Sequence, residues 1–156
     1  MIVIKEINTP IGIMLAGATM KGICFLKFAN TATIASMKNK YCLNKLLPKH
    51  NKLFQTLSQQ LIEYFNKTRK TFDIPLEIQG TKFQHQSWQA LQTIPYGTTI
   101  SYQEQAYKIN QEKAIRAIAT ANKNNKINII IPCHRVIGKN GNLTGYNGGI
   151  WRKKYY

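Results

Sequence analysis

The chain has 156 residues, enough for one domain or two small ones. Its 22 basic and 6 acidic residues give a formal net charge of +16, which favours nucleic acid as partner over an anionic membrane or a mere compositional bias. The three cysteines are far apart, so the sequence indicates neither a disulfide framework nor a zinc site, and it fits a reducing cytoplasm. No stretch has the pattern of a membrane span or a signal peptide.

The first half of the chain has the pattern of three strands followed by a helix. The strands are predicted at Met1–Ile7, Ile11–Ala18 and Gly22–Phe28, separated by turn residues. Residues 30–50 are polar and are predicted to be irregular. Apolar residues at helical spacing predict a helix over 53–67, and alternation over 72–78 predicts an edge strand.

The second half has a mostly helical pattern. A helix is predicted over 83–93, and a second one begins after Ser101, whose hydroxyl forms a capping box with Glu104. Asn110 is suited to a left-handed turn, after which a third helix is predicted over 111–122. Two short helices joined by a tight turn in a basic chain favour a helix-turn-helix, although any helical hairpin gives the same pattern.

The last of these helices carries small residues along one side. Ala114, Ala117 and Ala121 share this side, and Arg116 lies beside them. Such a narrow face is typical of close helix–helix packing. The less favoured interpretation is a helix that enters a nucleic-acid groove with an arginine reaching further in.

The segment Ile131–Gly138 contains the strongest chemical signal of the chain. Cys133 is followed by His134 and Arg135, and nearby positive charge lowers a thiol pKa and so favours the nucleophilic thiolate. The plainer interpretation is a small buried hydrophobe after a run of isoleucines. His134 can assist the thiol only if the chain turns there, and Pro132 favours such a turn.

A glycine-rich stretch follows the cysteine. Residues 144–149 surround Tyr146 with glycines, among them Gly148 and Gly149. Glycines let the backbone approach a ligand closely, and they are also typical of mobile loops.

Together these segments closely resemble the 6-O-alkylguanine-DNA alkyltransferases, or methylated-DNA–protein-cysteine methyltransferases. The resemblance covers nearly the whole chain and is sharp from about Gly80 onward. It is carried by Phe83, Trp88, Thr93–Gly97, Ser101, Tyr102, Arg116, Ala117, Asn122, Asn125, Ile131–Gly138, Thr144–Tyr146, Gly148, Gly149, Arg152 and Lys153.

This resemblance implies an α+β fold with two domains. The first, residues 1–79, is expected to be a small α/β domain of the ribonuclease-H-like kind. The second, residues 80–156, is expected to be mostly helical, with the helix-turn-helix, and to carry DNA binding and alkyl transfer.

The resemblance also implies DNA repair by direct and irreversible transfer. A 6-O-alkylguanine, or a 4-O-alkylthymine, is flipped out of double-stranded DNA, because its alkyl group is inaccessible inside the stack. Cys133 would then attack the alkyl carbon as a thiolate, with His134 accepting the thiol proton. Each protein molecule would react once, as a monomer, without cofactor or metal.

The remaining site residues follow from the same resemblance. Tyr102 would donate a hydrogen bond to the base, and Arg116 would fill the vacated stack. Asn125 would brace the turn that carries the cysteine. The other members of the expected substrate- and DNA-binding set are Ala117, Ala121, Arg135, Tyr146, Gly148 and Gly149.

One departure from the family pattern leaves an alternative open. The family's histidine is oriented by a glutamate that, by its spacing from Cys133, would fall beyond Tyr156, and residues 113–156 contain no Asp or Glu. The alternative is therefore a protein that binds alkylated bases with weak or no transfer. A cysteine hydrolase would explain neither the basic charge nor the helix with Arg116.

Overall fold

The computed structural model describes residues 1–41 and 44–138, which divide between two compact units, Met1–Gln79 and Gly80–Tyr156. The first unit contains β1 (Val3–Thr9), β2 (Gly12–Ala18), β3 (Ile23–Phe28), α1 (Thr31–Lys40) and α2 (Pro48–Phe65). The second contains α3 (Lys82–Gln92), β4 (Ile100–Ser101), α4 (Tyr102–Lys108), α5 (Ile115–Lys123), a 3₁₀ turn (Cys133–Arg135) and β5 (Val136–Ile137). Within the described residues, no helix has the length and apolar character needed to cross a membrane.

The first unit confirms the three predicted strands, which form an antiparallel sheet in the order β1-β2-β3. The central strand β2 is buried continuously over residues 14–18, because helices and neighbouring strands cover it. Helix α2 packs on β1 and β2. Its buried residues include Leu53, Phe54, Leu57, Leu61 and Tyr64, which recur at helical spacing.

The predicted edge strand over 72–78 is wrong in extent. The segment forms only one parallel bridge, Ile23 to Leu76, although Ile23 N–H donates to the Pro75 carbonyl at 2.9 Å. Pro75 has no N–H to extend a ladder. The backbones approach so closely here that a Cβ on Gly22 would lie 2.5 Å from the Pro75 oxygen.

The prediction that residues 30–50 are irregular is also wrong. Helix α1 occupies Thr31–Lys40 and begins where the Asn30 side chain accepts a hydrogen bond from Thr33 N–H at 2.8 Å. Ile34 is its buried residue, so the helix has almost no apolar stripe from which to predict it.

The second unit confirms the predicted capping box and turn. Ser101 Oγ accepts from Glu104 N–H at 3.1 Å at the start of α4, and Asn110 takes a left-handed conformation with φ of 58° after its end. Helix α5 begins at Ile115, later than predicted, because the preceding residues form a turn in which Ala114 N–H donates to the Gln111 carbonyl at 2.9 Å.

Trp88 joins the helices of this unit. Its ring is buried in α3, and its Nε1–H donates to the Ala121 carbonyl of α5 at 2.9 Å. Helices α3, α4 and α5 all contact one another. The architecture is therefore α+β, with the sheet in the first unit and a mostly helical second unit, as predicted.

Candidate active site

The cysteine lies on a 3₁₀ turn that follows a strained segment. The approach to it includes Ile129, whose φ of 71° is unusual for a β-branched residue and costs about 1–3 kcal/mol. The 3₁₀ turn then begins at Cys133 itself, and Arg135 N–H donates to the Pro132 carbonyl at 3.0 Å. The chain therefore turns at the cysteine, as Pro132 predicts, and Cys133 and His134 are buried side by side with 7% and 4% of their surfaces exposed.

A short parallel pairing brings this turn to the start of α4. Strand β5 follows the turn directly and pairs with β4, with Ile100 opposite Val136 and Ser101 opposite Ile137. Tyr102 is the next residue after β4 and the first of α4. The pairing thus places a tyrosine from the helix pair beside the cysteine turn.

Asn125 holds the turn from inside. Its Nδ2 donates to the Ile131 carbonyl at 2.8 Å and to Cys133 Sγ at 3.3 Å, while its Oδ1 accepts from Ile127 N–H at 3.0 Å. The side chain is itself buried. A donor directed at sulfur favours the thiolate over the thiol, so this amide both shapes the turn and stabilises the reactive form.

Tyr102 is chemically coupled to the cysteine. Burial raises the pKa of its phenol, and the negative charge of the Cys133 thiolate raises that pKa further. The phenol therefore remains protonated at neutral pH and keeps its O–H as a hydrogen-bond donor.

Arg135 is engaged within its own unit. Its guanidinium donates to the Ile94 carbonyl at 2.7 Å and lies over the Tyr96 ring at 5.8 Å from the centroid. It therefore ties the 94–97 turn to the cysteine turn. Its expected membership of the DNA-binding set stays a prediction.

Helix α5 separates the residues that the sequence groups together. Arg116 and Ala117 are exposed in its first turn, whereas Ala121 is only 3% exposed and its carbonyl binds Trp88. The two interpretations of the alanine side therefore concern different residues. Ala121 packs toward the interior of the unit, whereas Arg116 and Ala117 lie on the exposed surface of α5.

Sequence reasoning missed a buried pair of amides behind this surface. Gln105 of α4 and Asn122 of α5 exchange two hydrogen bonds, of 3.0 and 2.7 Å. Their signal in the sequence is a polar residue at a position where a helix would bury an apolar one.

Tyr146, Gly148 and Gly149 lie outside the described residues. Within residues 1–41 and 44–138, no three His, Cys, Asp or Glu side chains are grouped so that they could hold a metal ion.

Comparison with known proteins places both units of the chain in one family. Residues 2–78 match the ribonuclease-like domain of 6-O-methylguanine DNA methyltransferase, and residues 82–156 match the DNA binding domain of the same family. The methylated-DNA–protein-cysteine methyltransferase of Methanosarcina mazei is 43% identical over 149 residues, which are 96% of this chain and 90% of that protein.

Two solved structures have a fold similar to that of this chain. The O6-methylguanine methyltransferase of Mycobacterium tuberculosis has a TM-score of 0.80 at 37% identity, covering 99% of this chain and 89% of that one. Mycobacterium tuberculosis OGT in complex with DNA has a TM-score of 0.78 at 38% identity, covering 96% of this chain and 86% of that one.

The fold and the cysteine turn thus define a DNA-repair methyltransferase, with a ribonuclease-like unit followed by a helical DNA-binding unit. The chain belongs to the methylated-DNA–protein-cysteine methyltransferase family.

The bracing role of Asn125 is tested by Asn125→Ala. The loss leaves the Ile127 N–H unsatisfied, while the Ile131 carbonyl keeps its hydrogen bond from Cys133 N–H, so we expect the free energy of unfolding to fall by about 1–3 kcal/mol. The thiolate also loses its donor, so Cys133 should react more slowly with a small thiol reagent at neutral pH. Asn124→Ala, at the exposed neighbouring position, is the control and should change neither quantity. An unchanged thiol reaction rate in folded Asn125→Ala would contradict the donor role.

The coupling of Tyr102 to the thiolate is tested by titration. In Cys133→Ala the pKa of Tyr102 should fall but stay above that of a free tyrosine, because burial is the larger cause. The stabilisation linked to the raised pKa is present below about pH 10 and is lost as the pH rises through the folded-state value. NMR of ring-labelled tyrosine, assigned with Tyr102→Phe, measures both titrations. Identical curves would show that the two side chains are not coupled.

Proposed function

We propose that Cys133 is the residue that accepts the alkyl group in this DNA-repair methyltransferase. Its Sγ attacks the alkyl carbon of a 6-O-alkylguanine, the new S–C bond forms as the C–O6 bond breaks, and guanine leaves. The net result of the proton transfer is that the released base carries the proton lost by the thiol. The observation that carries this proposal is the Asn125 amide directed at Sγ on a turn that also buries His134.

The neighbouring groups support proton transfer at this sulfur. His134 follows Cys133 within the same 3₁₀ turn and is the proton acceptor in this proposal. Tyr102 keeps its proton because burial and the thiolate both raise its pKa. It donates a hydrogen bond to the alkylated base, and such a donor favours departure of guanine as negative charge develops on it.

The target base reaches the cysteine by rotation out of double-stranded DNA. Arg116 is exposed on the outer side of α5 beside Ala117, and it fills the space that the base leaves in the stack. Ala121 contributes by packing behind this surface, and Arg135 by holding the turn. Tyr146, Gly148 and Gly149 complete the base pocket in this proposal.

The thioether product is stable, so one protein molecule repairs one lesion. In this proposal the protein acts as a monomer in the cytoplasm. The same geometry would accept a 4-O-alkylthymine. The competing candidate is a protein that binds alkylated bases with weak or no transfer.

A single-turnover mass measurement separates the two candidates. Incubation with a duplex that contains 6-O-methylguanine should add one CH₂ unit per protein molecule, mapped to Cys133. Cys133→Ala should bind the duplex without this gain, and Cys24→Ala, which changes a cysteine of the first unit, should gain it normally. Binding by the wild-type protein without a mass change would favour the competing candidate, and repair of several lesions per molecule would refute the single-use mechanism.

The proposal that Arg116 fills the vacated stack is tested by comparing two substrates. Arg116→Ala should repair duplex DNA at least roughly tenfold more slowly, because extruding a base costs a few kcal/mol that the side chain no longer offsets. Its reaction with the free alkylated base should remain nearly normal. The exposed basic residue Lys108 offers a matched control, since Lys108→Ala removes the same charge from α4. Equal losses on both substrates in Arg116→Ala would refute the proposal that Arg116 fills the vacated stack.

A further inference from the structure

Three helices of the second unit meet at one buried group of amides. The Gln105 Nε2 donates to the Asn122 Oδ1 at 3.0 Å and to the Ser87 backbone carbonyl at 3.1 Å, and the Asn122 Nδ2 donates to the Gln105 Oε1 at 2.7 Å. Gln105 is fully buried and Asn122 is 6% exposed. Three hydrogen bonds thus connect α3, α4 and α5 away from solvent.

These amides belong to the two helices on which the proposed function depends. Gln105 follows Tyr102 by one turn of α4, so the two positions move together. Asn122 lies in α5, whose first turn carries Arg116. The Asn122 carbonyl also accepts from Asn125 N–H at 3.1 Å, and the Asn125 side chain donates to the sulfur.

A buried amide pair is an unusual way to pack two helices. Apolar side chains of similar size would supply burial without any need for hydrogen bonds, whereas amides tolerate only the alignments that keep every bond. A sliding or rotation of α5 against α4 would break both reciprocal bonds at once and leave two amides unsatisfied. The pair therefore favours one register of the helices more sharply than apolar contacts would.

We propose that Gln105 and Asn122 are positioning residues for repair: they hold α4 and α5 in the register at which Tyr102 and Arg116 act on the same extruded base. This inference rests on the proposed function. The pair acts through the two helices and touches neither base nor sulfur. The β4–β5 pairing holds Tyr102 beside the cysteine turn independently of this pair, whereas Arg116 acts only on duplex DNA. The contribution of the pair is therefore specific to duplex DNA, where both helices must act together.

The test replaces the pair in two ways. In Q105L/N122L, leucines fill the space without hydrogen bonds. In Q105N/N122Q, the longer and the shorter amide side chain exchange positions. Each single leucine variant strands one buried amide and should melt at a lower temperature, and the double leucine variant should recover most of that loss. Single-turnover methyl transfer is measured for each variant on a duplex and on free 6-O-methylguanine, well below its melting temperature.

We expect Q105L/N122L to be roughly tenfold slower than the wild type on the duplex, because small misplacements of reacting groups are costly, and nearly unchanged on the free base. Q105N/N122Q should regain most of the duplex rate. The control is Gln60→Leu, which removes a buried amide that makes two hydrogen bonds to the Asp73 backbone in the first unit. It should lower the melting temperature without changing the ratio of the two rates.

Two results would overturn the inference: a duplex rate in Q105L/N122L equal to that of the wild type, or equal losses on both substrates. Either can occur while the wild-type protein transfers methyl to Cys133, so the inference can fail while the proposed function stands. A wild-type protein that transfers no methyl would instead refute the proposed function, and this inference with it.

Discussion

The donation from the Asn125 amide to Cys133 Sγ is the interaction on which the rest of the site depends. A thiol that is 7% exposed has little water to stabilise its anion, so the protein itself must supply the stabilising donor. One carboxamide does so while it also binds the Ile131 carbonyl and the Ile127 N–H, which fixes the chain on the approach to the cysteine. Shape and reactivity of the turn thus come from the same side chain.

The turn would be of little use without a fixed relation to the helix pair. The pairing of β4 with β5 is only two residues long, yet it joins the segment after Cys133 to the segment before Tyr102. Arg135 adds a second connection through the Ile94 carbonyl. These contacts lie among residues distant in sequence, so the geometry of the site depends on how the second unit folds as a whole.

The sequence predicts those parts of the structure whose causes are local. The three strands, the α2 stripe, the Ser101–Glu104 capping box and the left-handed Asn110 depend on residues close together in the chain, and each is confirmed. Helix α1 escapes prediction because its start is fixed by the Asn30 cap and it has almost no apolar stripe. The start of α5 is predicted too early because alanines favour a helix through a segment that instead closes as a turn.

In the candidate site, too, the sequence predicts the features whose causes are local. Cys133, His134 and Asn125 are brought together on one turn, because they lie within ten residues of one another along the chain. The burial of Ala121 and the pairing of Gln105 with Asn122 depend on which side of each helix faces α3. Spacing along one helix does not specify which residues of two helices meet, because the Gln105–Asn122 contact joins positions 17 residues apart in the chain.

The charge of the chain acts on a different step from the chemistry. A reagent that is consumed once gains nothing from rapid turnover, so its usefulness depends on how quickly it reaches a lesion among many undamaged base pairs. Three of the six acidic residues are engaged within the fold: Glu6 pairs with Lys38, Glu63 pairs with Arg69, and Glu104 caps α4. The excess of lysine and arginine is thereby left to attract the phosphate backbone, with a salt dependence of about −0.9 per phosphate neutralised in log–log form. Because this attraction is independent of base sequence, it brings the protein to DNA but does not distinguish alkylated guanine from intact guanine.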